Sequence, residues 1–374
     1  MAILPNNTIK VLEDHVSHVS PPPNSVPTTS LPLNFFDMKF LPSAPVQPLF
    51  FFEFPFPTSF FMQNILPNFK ASLSLTLQHF FPLAGNLVLP PPPQIPYIHY
   101  KEGDSVSLFV NESTADFNHL ASNNARKFQE LQSLVPTLPP AAKGSDNSFM
   151  QKPLLAIQVT VFPLVGISIG FAFYHVVADG RAFIHFMKSF ASVFSSRGDM
   201  TCLKDSFPKF NRDLIEDPLD CRKRLKLPPT YFGNCLLRST ATAKKSELIG
   251  ENGIFVAARA IAKVVMEFEK GSLKETETLL SSSKAMELIK MEAKNVIMVE
   301  ASPKFGAYNM SFGSGGTKKA ELASIGSSET ATVFSIADSR EEGGVEYGLA
   351  LASSELDSFN AIFNGRLKLP FSRL

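Results

Sequence analysis

The stretch "LLAIQVTVFPLVGISIGFAFYHVVADGRAF" at residues 154–183 predicts a β-hairpin that leads into a helix. Apolar residues alternate with smaller or polar ones on both sides of the turn "PLVG", as they do in two antiparallel strands. Beyond Gly180 the apolar spacing changes to that of a helix, and Asp179 stands at the N-cap position. The apolar stripe of this helix consists of Phe183, Met187, Phe190 and Phe194.

His175 lies at the end of the second predicted strand. It shares a face with Phe171 and Phe173, because successive strand side chains point to opposite faces. Such a histidine is usually a packed core residue, and Asp179 is then no more than a helix cap. A histidine also titrates near neutrality and can take a proton from a hydroxyl, for which a strand end beside a turn is suitable. These residues alone leave both interpretations open.

The bulk composition indicates a folded, soluble protein. The chain has 374 residues, of which 44% are hydrophobic and 18% charged, and this length suits two domains. A net charge of +1 gives no field that would attract nucleic acid or an anionic membrane. Three widely spaced cysteines predict a reducing compartment and no metal site. Without a signal-peptide pattern or a long apolar run, we expect a cytoplasmic location.

The rest of the chain predicts short strands and several helices. Prolines are so dense in residues 21–60 that only short strands and extended segments fit there. A helix is predicted from Asn64 to about Phe80 and another over 252–271. Near the C-terminus, a hairpin that turns at Gly343–Gly344 precedes a closing helix.

Two short motifs suggest other chemistries, and both are weak. "GISIG" at 166–170 matches the G-x-S-x-G pattern of serine hydrolases, but Ser168 is followed by more strand instead of the sharp turn and helix that this motif needs. "FGSGGTKK" at 312–319 resembles a phosphate loop but lacks the P-loop spacing. We interpret the first as a chance match and the second as a flexible basic loop near a phosphorylated ligand.

Several stretches together resemble one family. "HVVADG" at 175–180 matches the HxxxDG signature of the plant BAHD acyl-CoA-dependent acyltransferases, and "FFPLAGNL" at 80–87 is similar to their PLAG segment. "YFGNC" at 231–235 resembles a motif of the anthocyanin, flavonoid and phenolic glucoside malonyltransferase branch. The opening residues 3–37 and "SPKFGAYNMSFGSG" at 302–315 also fit that branch. Five motifs in the family's order are a strong signal.

The resemblance implies a fold and a reaction. The fold would be α/β, with two domains like those of chloramphenicol acetyltransferase and a channel between them. His175 would be the general base that activates an acceptor hydroxyl to attack an acyl-CoA thioester. Asp179 would be structural and paired with an arginine, for which Arg222 and Arg224 are candidates. The co-substrate would be malonyl-CoA or another acyl-CoA, with no permanently bound cofactor. The acceptor would be a phenolic or flavonoid glucoside, and the protein a monomer.

Further residues are candidates for contacts with the acyl-CoA. Arg181, beside the HxxxDG signature, is a candidate cation for a malonyl carboxylate, although an exposed arginine at a helix start is the slightly favoured alternative. Lys318 and Lys319 are candidates for the CoA phosphates, and two adjacent lysines are more often a solvated surface. Gly313 and Gly315 belong to the same candidate CoA-binding segment.

The sequence departs from the family in two places. The family motif DFGWG is "SFGSG" at 311–315, so Ser311 replaces a structural aspartate and Ser314 a channel-lining tryptophan. Several dozen residues of the relatives are missing near 218–220. We therefore predict an intact N-terminal domain at 1–209 and an incomplete C-terminal domain at 219–374. Such a loss exposes apolar surface and an unpaired strand edge, and a catalytically impaired relative that at most binds ligand is the alternative.

Overall fold

A computed structural model describes residues 9–144, 149–212, 227–236, 240–269, 297–302, 304–313, 315–327 and 332–367. These residues form an α/β fold with three sheets. The largest sheet contains, in spatial order, β1 (Ile9–Val19), β6 (Val106–Ser113), β9 (Leu155–Phe162), β10 (Gly166–Phe173), β3 (Pro48–Glu53) and β12 (Thr317–Leu322). Its neighbouring strands are antiparallel except for β6 and β9, which are parallel.

Two smaller sheets complete the β structure. The first is antiparallel and contains, in spatial order, β2 (Thr29–Pro32), β5 (Tyr97–Tyr100), β4 (Asn86–Leu89), β8 (Met150–Pro153) and β7 (Ala142–Lys143). The second contains β11 (Ile297–Ser302), β13 (Thr332–Asp338) and β14 (Val345–Leu349). The hairpin predicted around Gly343–Gly344 is β13 and β14, which pair antiparallel.

The hairpin predicted from residues 154–177 is confirmed as β9 and β10. These strands pair antiparallel in the register Phe162↔Gly166 to Leu155↔Phe173, and every residue of both is buried. The small-residue face of β10 permits the expected close approach, because a Cβ on Gly170 would lie 2.2 Å from the carbonyl oxygen of Leu134. The hairpin is therefore the centre of the largest sheet, and its end determines where His175 lies.

The described α-helices include four long ones that fall where the sequence predicts them and five short ones that it does not predict. They are α1 (Phe35–Met38), α2 (Thr58–Phe60), α3 (Leu66–His79), α4 (Phe117–Leu120), α5 (Phe128–Gln132), α6 (Gly180–Ser195), α7 (Lys245–Ile249), α8 (Gly253–Glu269) and α9 (Ser353–Leu367). A π-helical turn at Phe61–Ile65 joins α2 to α3, so the helical segment begins earlier than the sequence pattern predicts. Asp179 caps α6 as predicted, since its carboxylate accepts a hydrogen bond from the Ala182 amide at 2.9 Å.

A core of phenylalanine rings holds α3 and α6 together. Phe69 on α3 meets Phe190 on α6 edge-to-face, with 4.8 Å between the ring centroids. Phe312, from the "SFGSG" segment, lies against both rings at 5.8 and 4.8 Å and is fully buried. The C-terminal half therefore contributes a side chain to the core of the N-terminal half, and β12 adds a strand beside β3.

Large apolar side chains are exposed mainly in the C-terminal half. Several of them lie along α8, where Ile254 is 64% exposed and Ile261 is 57% exposed. Others lie on the strands and helix that follow, and they are Ile297, Val299, Val345, Tyr347, Ile362 and Phe363. Side chains of this type are normally covered by a core. The sequence expectation that the C-terminal half has lost some of its packing partners stays a prediction.

Replacement of Phe312 tests its role in joining the two halves. We expect Phe312→Ala to lower the free energy of unfolding by about 3–5 kcal/mol, because the surrounding rings cannot close the cavity. Phe255→Ala is the matched control, since Phe255 is 52% exposed and its removal is expected to cost about 0.5 kcal/mol or less. Urea denaturation followed by circular dichroism measures both. Equal losses in the two variants would contradict the assignment.

Candidate active site

His175 lies two residues beyond the end of β10 and is half-buried. Its imidazole is stacked on the ring of Phe40, with 3.8 Å between the ring centroids and 13° between the planes. The ring of Phe40 is itself buried and fixes the plane of the imidazole on one side. The histidine is thus held in one orientation at the edge of the core and is not sealed within it.

Asn234 is the polar partner of His175. The Nδ1 atom of His175 lies 2.9 Å from the side-chain oxygen of Asn234, whose own side chain is fully buried. The Asn234 amide group, Nδ2, donates to the His175 carbonyl at 2.9 Å and to the carboxylate of Asp37 at 2.8 Å. A second hydrogen bond to Asp37, at 3.2 Å, comes from the Asn234 backbone amide. Asn234 therefore connects the histidine to a buried acid.

Asp37 is held by its own helix and by a buried arginine. Asn34 caps α1, and its backbone amide donates to Asp37 at 3.1 Å while its side chain accepts from the Asp37 amide at 2.9 Å. Arg212 Nε lies 3.1 Å from the same carboxylate oxygen, Oδ2, and this contact is an ion pair without an aligned hydrogen bond. Burial raises the pKa of Asp37 above its usual value, and the Arg212 guanidinium opposes that rise.

The segment "YFGNC" at 231–235 joins these groups. The hydroxyl of Tyr231 contacts Arg212 Nη1 at 3.3 Å and accepts from the Asn34 amide group at 3.0 Å. The carbonyl of Phe232 accepts a short hydrogen bond from the same Nη1. Gly233 leaves room for the arginine, because a Cβ at this position would lie 1.9 Å from Nη1. Contacts with the buried arginine and the histidine thereby account for Tyr231, Gly233 and Asn234 of this segment.

Asp179 is tied to backbone amides in the described part of the chain. Its two carboxylate oxygens accept from the amides of Ala182 at 2.9 Å and Cys235 at 3.2 Å. Burial raises the pKa of Asp179, and these hydrogen bonds oppose the rise. Asp179 thus links the start of α6 to the "YFGNC" segment. Arg222 and Arg224, its predicted partners, lie outside the described residues, so that pairing stays a prediction.

The residues predicted to contact the acyl-CoA differ in exposure, from the exposed Arg181 and Gly313 to the buried Lys319. Arg181 is exposed in the first turn of α6, next to Asp179, as the alternative interpretation expected. Gly313 is exposed and has φ +140°, a conformation that favours glycine, and a Cβ on Gly315 would meet nothing within 4 Å. Ser314 lies outside the described residues. Ser311, where the family has aspartate, donates to the Gly315 carbonyl at 2.8 Å and so closes this loop.

The two adjacent lysines are engaged by protein groups. Lys319 is buried, with its ammonium 2.6 Å from the carboxylate of Glu346 and 3.6 Å from that of Glu321. It is therefore not the solvated surface residue that the alternative interpretation expected. Lys318 lies 3.3 Å from Glu53 and 3.2 Å from the side-chain oxygen of Asn118. A role for either lysine at CoA phosphates stays a prediction, which these contacts do not favour.

Ser168 does not have the surroundings of a hydrolase nucleophile. It lies in the middle of β10, is fully buried, and its hydroxyl has no hydrogen-bond partner among the described residues. Its side chain also points to the opposite face of β10 from Phe171 and Phe173, the face to which the alternation assigns His175. The G-x-S-x-G match is therefore accidental, as the sequence context predicted.

Sequence reasoning did not identify Asn234, Asp37 and Arg212 as members of the site. Asp37 and Asn234 lie in stretches that carry the resemblance, but nothing in the spacing indicates that residues 37, 175, 212 and 234 meet. An arginine was expected near this site and is present, although Arg212 pairs with Asp37. The sequence signals that could have pointed to the site were an aspartate directly after the apolar "NFF" and an asparagine in "YFGN".

The comparisons with known proteins define the class of the protein as a CoA-dependent acyltransferase. A family model described as "Transferase family" matches residues 12–218 and 214–364, which together span most of the chain. The chain belongs to this family, the BAHD acyl-CoA-dependent acyltransferases.

Several characterised relatives match nearly the whole chain. The coumaroyl-CoA:anthocyanidin 3-O-glucoside-6''-O-coumaroyltransferase 1 of Arabidopsis thaliana is 31% identical, with 96% of this chain and 97% of the relative covered. The malonyl-coenzyme A:anthocyanin 3-O-glucoside-6''-O-malonyltransferase of Dahlia pinnata is 30% identical, with 98% of each chain covered. Phenolic glucoside malonyltransferase 1 of Nicotiana tabacum is 29% identical, with 82% of this chain and 88% of the relative covered.

Solved structures confirm the expected fold. Vinorine synthase matches with a TM-score of 0.67 and 16% identity, over 94% of this chain and 96% of its own. TRI101 of F. sporotrichioides, solved with coenzyme A and T-2, matches with a TM-score of 0.54 and 12% identity, over 89% of this chain and 97% of its own. Among the described residues, no helix has both the length and the apolar character needed to cross a membrane.

Removal of Arg212 tests the buried ion pair. We expect Arg212→Met to lower the free energy of unfolding by about 3–5 kcal/mol, because the Asp37 carboxylate is left buried without its cation. Adding Asp37→Asn removes that charge, so the double variant is expected to be more stable than Arg212→Met alone. Urea denaturation gives all the values. An Arg212→Met protein as stable as the wild type would contradict this account.

The same variant has a predicted pH dependence. Without Arg212, the largest of the effects that oppose burial is lost, and the pKa of Asp37 in the folded state rises further. The folded state of the variant then disfavours the ionised acid. The loss in free energy of unfolding is therefore complete above the folded-state pKa of Asp37 and shrinks as the pH falls towards its unfolded-state pKa. We therefore expect a smaller stability difference from the wild type at about pH 5 than at about pH 8.

Replacement of Asp179 distinguishes a cap from an ion pair. As a helix cap tied to Cys235, Asp179 is expected to tolerate Asn better than Ala, because Asn still accepts from the Ala182 amide. We expect Asp179→Asn to cost about 1 kcal/mol and Asp179→Ala more, as measured by thermal and urea denaturation. A loss of about 3–5 kcal/mol for Asp179→Asn would instead support a buried ion pair with an arginine.

Proposed function

We propose that the protein transfers an acyl group, preferentially malonyl, from its CoA thioester to a hydroxyl of a phenolic or flavonoid glucoside. The observation that carries this proposal is the half-buried His175 at the end of β10, held between Asn234 and Phe40. A histidine that is oriented on two sides and is not sealed in the core is suited to act as a general base.

The reaction needs one proton carrier and no covalent enzyme intermediate. His175 takes the proton of the acceptor hydroxyl as its oxygen attacks the thioester carbonyl carbon and forms the new C–O bond. The tetrahedral intermediate collapses with cleavage of the C–S bond, and the imidazolium returns the proton to the leaving thiolate. The products are the ester and free CoA. Asp179 supports this step indirectly, by joining the start of α6 to the segment that carries Asn234.

The donor and acceptor are inferred from the relatives. Their names specify malonyl-CoA or coumaroyl-CoA as donor and anthocyanin or phenolic glucosides as acceptor. The "YFGNC" segment is the reason to favour malonyl. A malonyl carboxylate requires a cation when water is excluded, and Arg181 is the proposed one because it is exposed beside the histidine-bearing turn.

We also propose that the second half is shortened near residues 218–220, leaving an N-terminal domain at 1–209 and a C-terminal domain at 219–374. The alignment to the Arabidopsis relative extends over 466 positions, more than the 374 residues of the chain, so that relative has segments without a counterpart here. The family model also matches in two ranges that adjoin at 214–218. We expect the protein to act as a cytoplasmic monomer.

A second candidate function is ligand binding without turnover. The exposed apolar side chains of α8 and of the C-terminal sheet support it, because they indicate an incomplete second core. Ser314, in place of the family's channel tryptophan, also favours binding without turnover, since a smaller side chain leaves the reacting carbonyl less enclosed.

Transfer assays on the purified protein test the first proposal. We expect malonyl transfer from malonyl-CoA to at least one member of a panel of phenolic and flavonoid glucosides, detected by mass spectrometry. His175→Ala is expected to lower kcat by about 10²-fold or more, because the proton acceptor is lost, and circular dichroism of the variant checks that it remains folded. His119→Ala is the matched control, since His119 is a partly exposed residue of α4 and is not among the residues described around His175.

The outcomes separate the two candidates. Transfer from coumaroyl-CoA alone would keep the acyltransferase assignment and overturn the malonyl donor. No product from any donor, together with a thermal midpoint that rises when CoA is added, would support binding without turnover, because a ligand of the folded state stabilises it. No product and no shift would contradict both candidates.

A further inference from the structure

We infer that Asn234 is a positioning residue that holds His175 in the tautomer with the proton on Nδ1, so that Nε2 is the nitrogen that accepts the proton of the acceptor hydroxyl. The inference rests on the proposed function for the role of His175 as the base. The tautomer itself follows from the hydrogen bonds of the described residues alone.

The orientation of the Asn234 amide is determined by its surroundings. Its Nδ2 atom faces the Asp37 carboxylate at 2.8 Å, the His175 carbonyl at 2.9 Å and the Val176 carbonyl at 3.2 Å. All three neighbours are hydrogen-bond acceptors, and the ion pair with Arg212 favours an ionised Asp37. A flipped amide would place its oxygen against three oxygens in a fully buried site, at a high cost in free energy.

The amide orientation in turn determines the imidazole tautomer. With Nδ2 directed away, the Asn234 oxygen is the atom that lies 2.9 Å from His175 Nδ1. That oxygen can only accept, so Nδ1 must carry the proton that it donates. A neutral imidazole has a single N–H group, and Nε2 is therefore left with a lone pair.

Asp37 and Arg212 keep Asn234 in place. Asp37 is fully buried, and its carboxylate accepts hydrogen bonds from both the backbone amide and the side-chain amide of Asn234. Rotation of the asparagine would break the side-chain bond and leave a buried carboxylate less well satisfied. The arginine, the acid and the amide form a chain of buried contacts that ends at the imidazole.

An amide in this position has a different effect from a carboxylate. A carboxylate beside Nδ1 stabilises the imidazolium strongly, as the aspartate of a serine protease triad does. The neutral oxygen of Asn234 orients the ring and accepts from Nδ1–H in both protonation states without an added negative charge. Asn234 therefore determines the tautomer of the ring without adding a charge beside it.

Ring-nitrogen NMR tests the tautomer without any need for turnover. The protein is labelled with ¹⁵N-histidine, and the His175 signals are identified by their absence in His175→Ala. At a pH where the ring is neutral, we expect a protonated Nδ1 and an unprotonated Nε2 in the wild type. Asn234→Ala is expected to shift both nitrogens towards the averaged values of two exchanging tautomers. A wild-type Nε2 that carries the proton would overturn the inference.

Tyr231→Phe is the matched control for a purely structural effect. It removes a hydroxyl that contacts Arg212 and Asn34 but leaves the Asn234–His175 hydrogen bond in place. We expect it to lower stability while the His175 ring-nitrogen shifts keep their wild-type values. Asn234→Leu is the second variant, and it keeps the bulk of the side chain if Asn234→Ala does not fold. An unchanged tautomer in the folded variant would overturn the role assigned to Asn234.

Steady-state kinetics distinguish a positioning role of Asn234 from a purely structural one. In Asn234→Ala, kcat is expected to fall by about tenfold or more while KM for malonyl-CoA stays near the wild-type value, because only the proton-transfer step is affected. An equal kcat in variant and wild type would contradict the inference. A folded wild type without transferase activity but with the expected tautomer would overturn the proposed function and leave the assignment of Asn234 intact.

Discussion

The buried ion pair between Arg212 and Asp37 is the constraint on which the site depends. Both side chains are almost completely removed from water, so each charge requires the other and the hydrogen bonds around it. Those hydrogen bonds come from α1, from residues 227–236 and, through Asn234, from the turn that carries His175. A single electrostatic requirement thus brings three distant parts of the chain to the end of β10.

The aromatic core provides the rigid support for this arrangement. The chain has 35 Phe and no Trp, and stacked or edge-to-face phenylalanine contacts join the central sheet to α3 and α6. Because α6 begins at Asp179, any movement of that helix would displace the turn that bears His175. Dense packing beneath the turn therefore limits the positions of the imidazole.

The departures from the family pattern affect the two halves differently. Phe312 is retained and fills the core of the N-terminal half, while Ser311 closes its loop by a hydrogen bond to Gly315 where the family has an aspartate. The C-terminal half instead exposes apolar side chains on α8 and on its sheet. The surroundings of His175 are consequently well supported by buried contacts.

The sequence by itself determined the central hairpin, α3, α6 and its Asp179 cap, because alternation and helical spacing are local properties that packing on both sides reinforces. It also indicated the family and His175, through motifs that lie in one order along the chain. Only the tertiary structure decided that Asn234, Asp37 and Arg212 accompany His175, and that Lys319 is buried against Glu346. Contacts between residues so far apart in sequence depend on how the loops are folded over the core, and no local pattern encodes that.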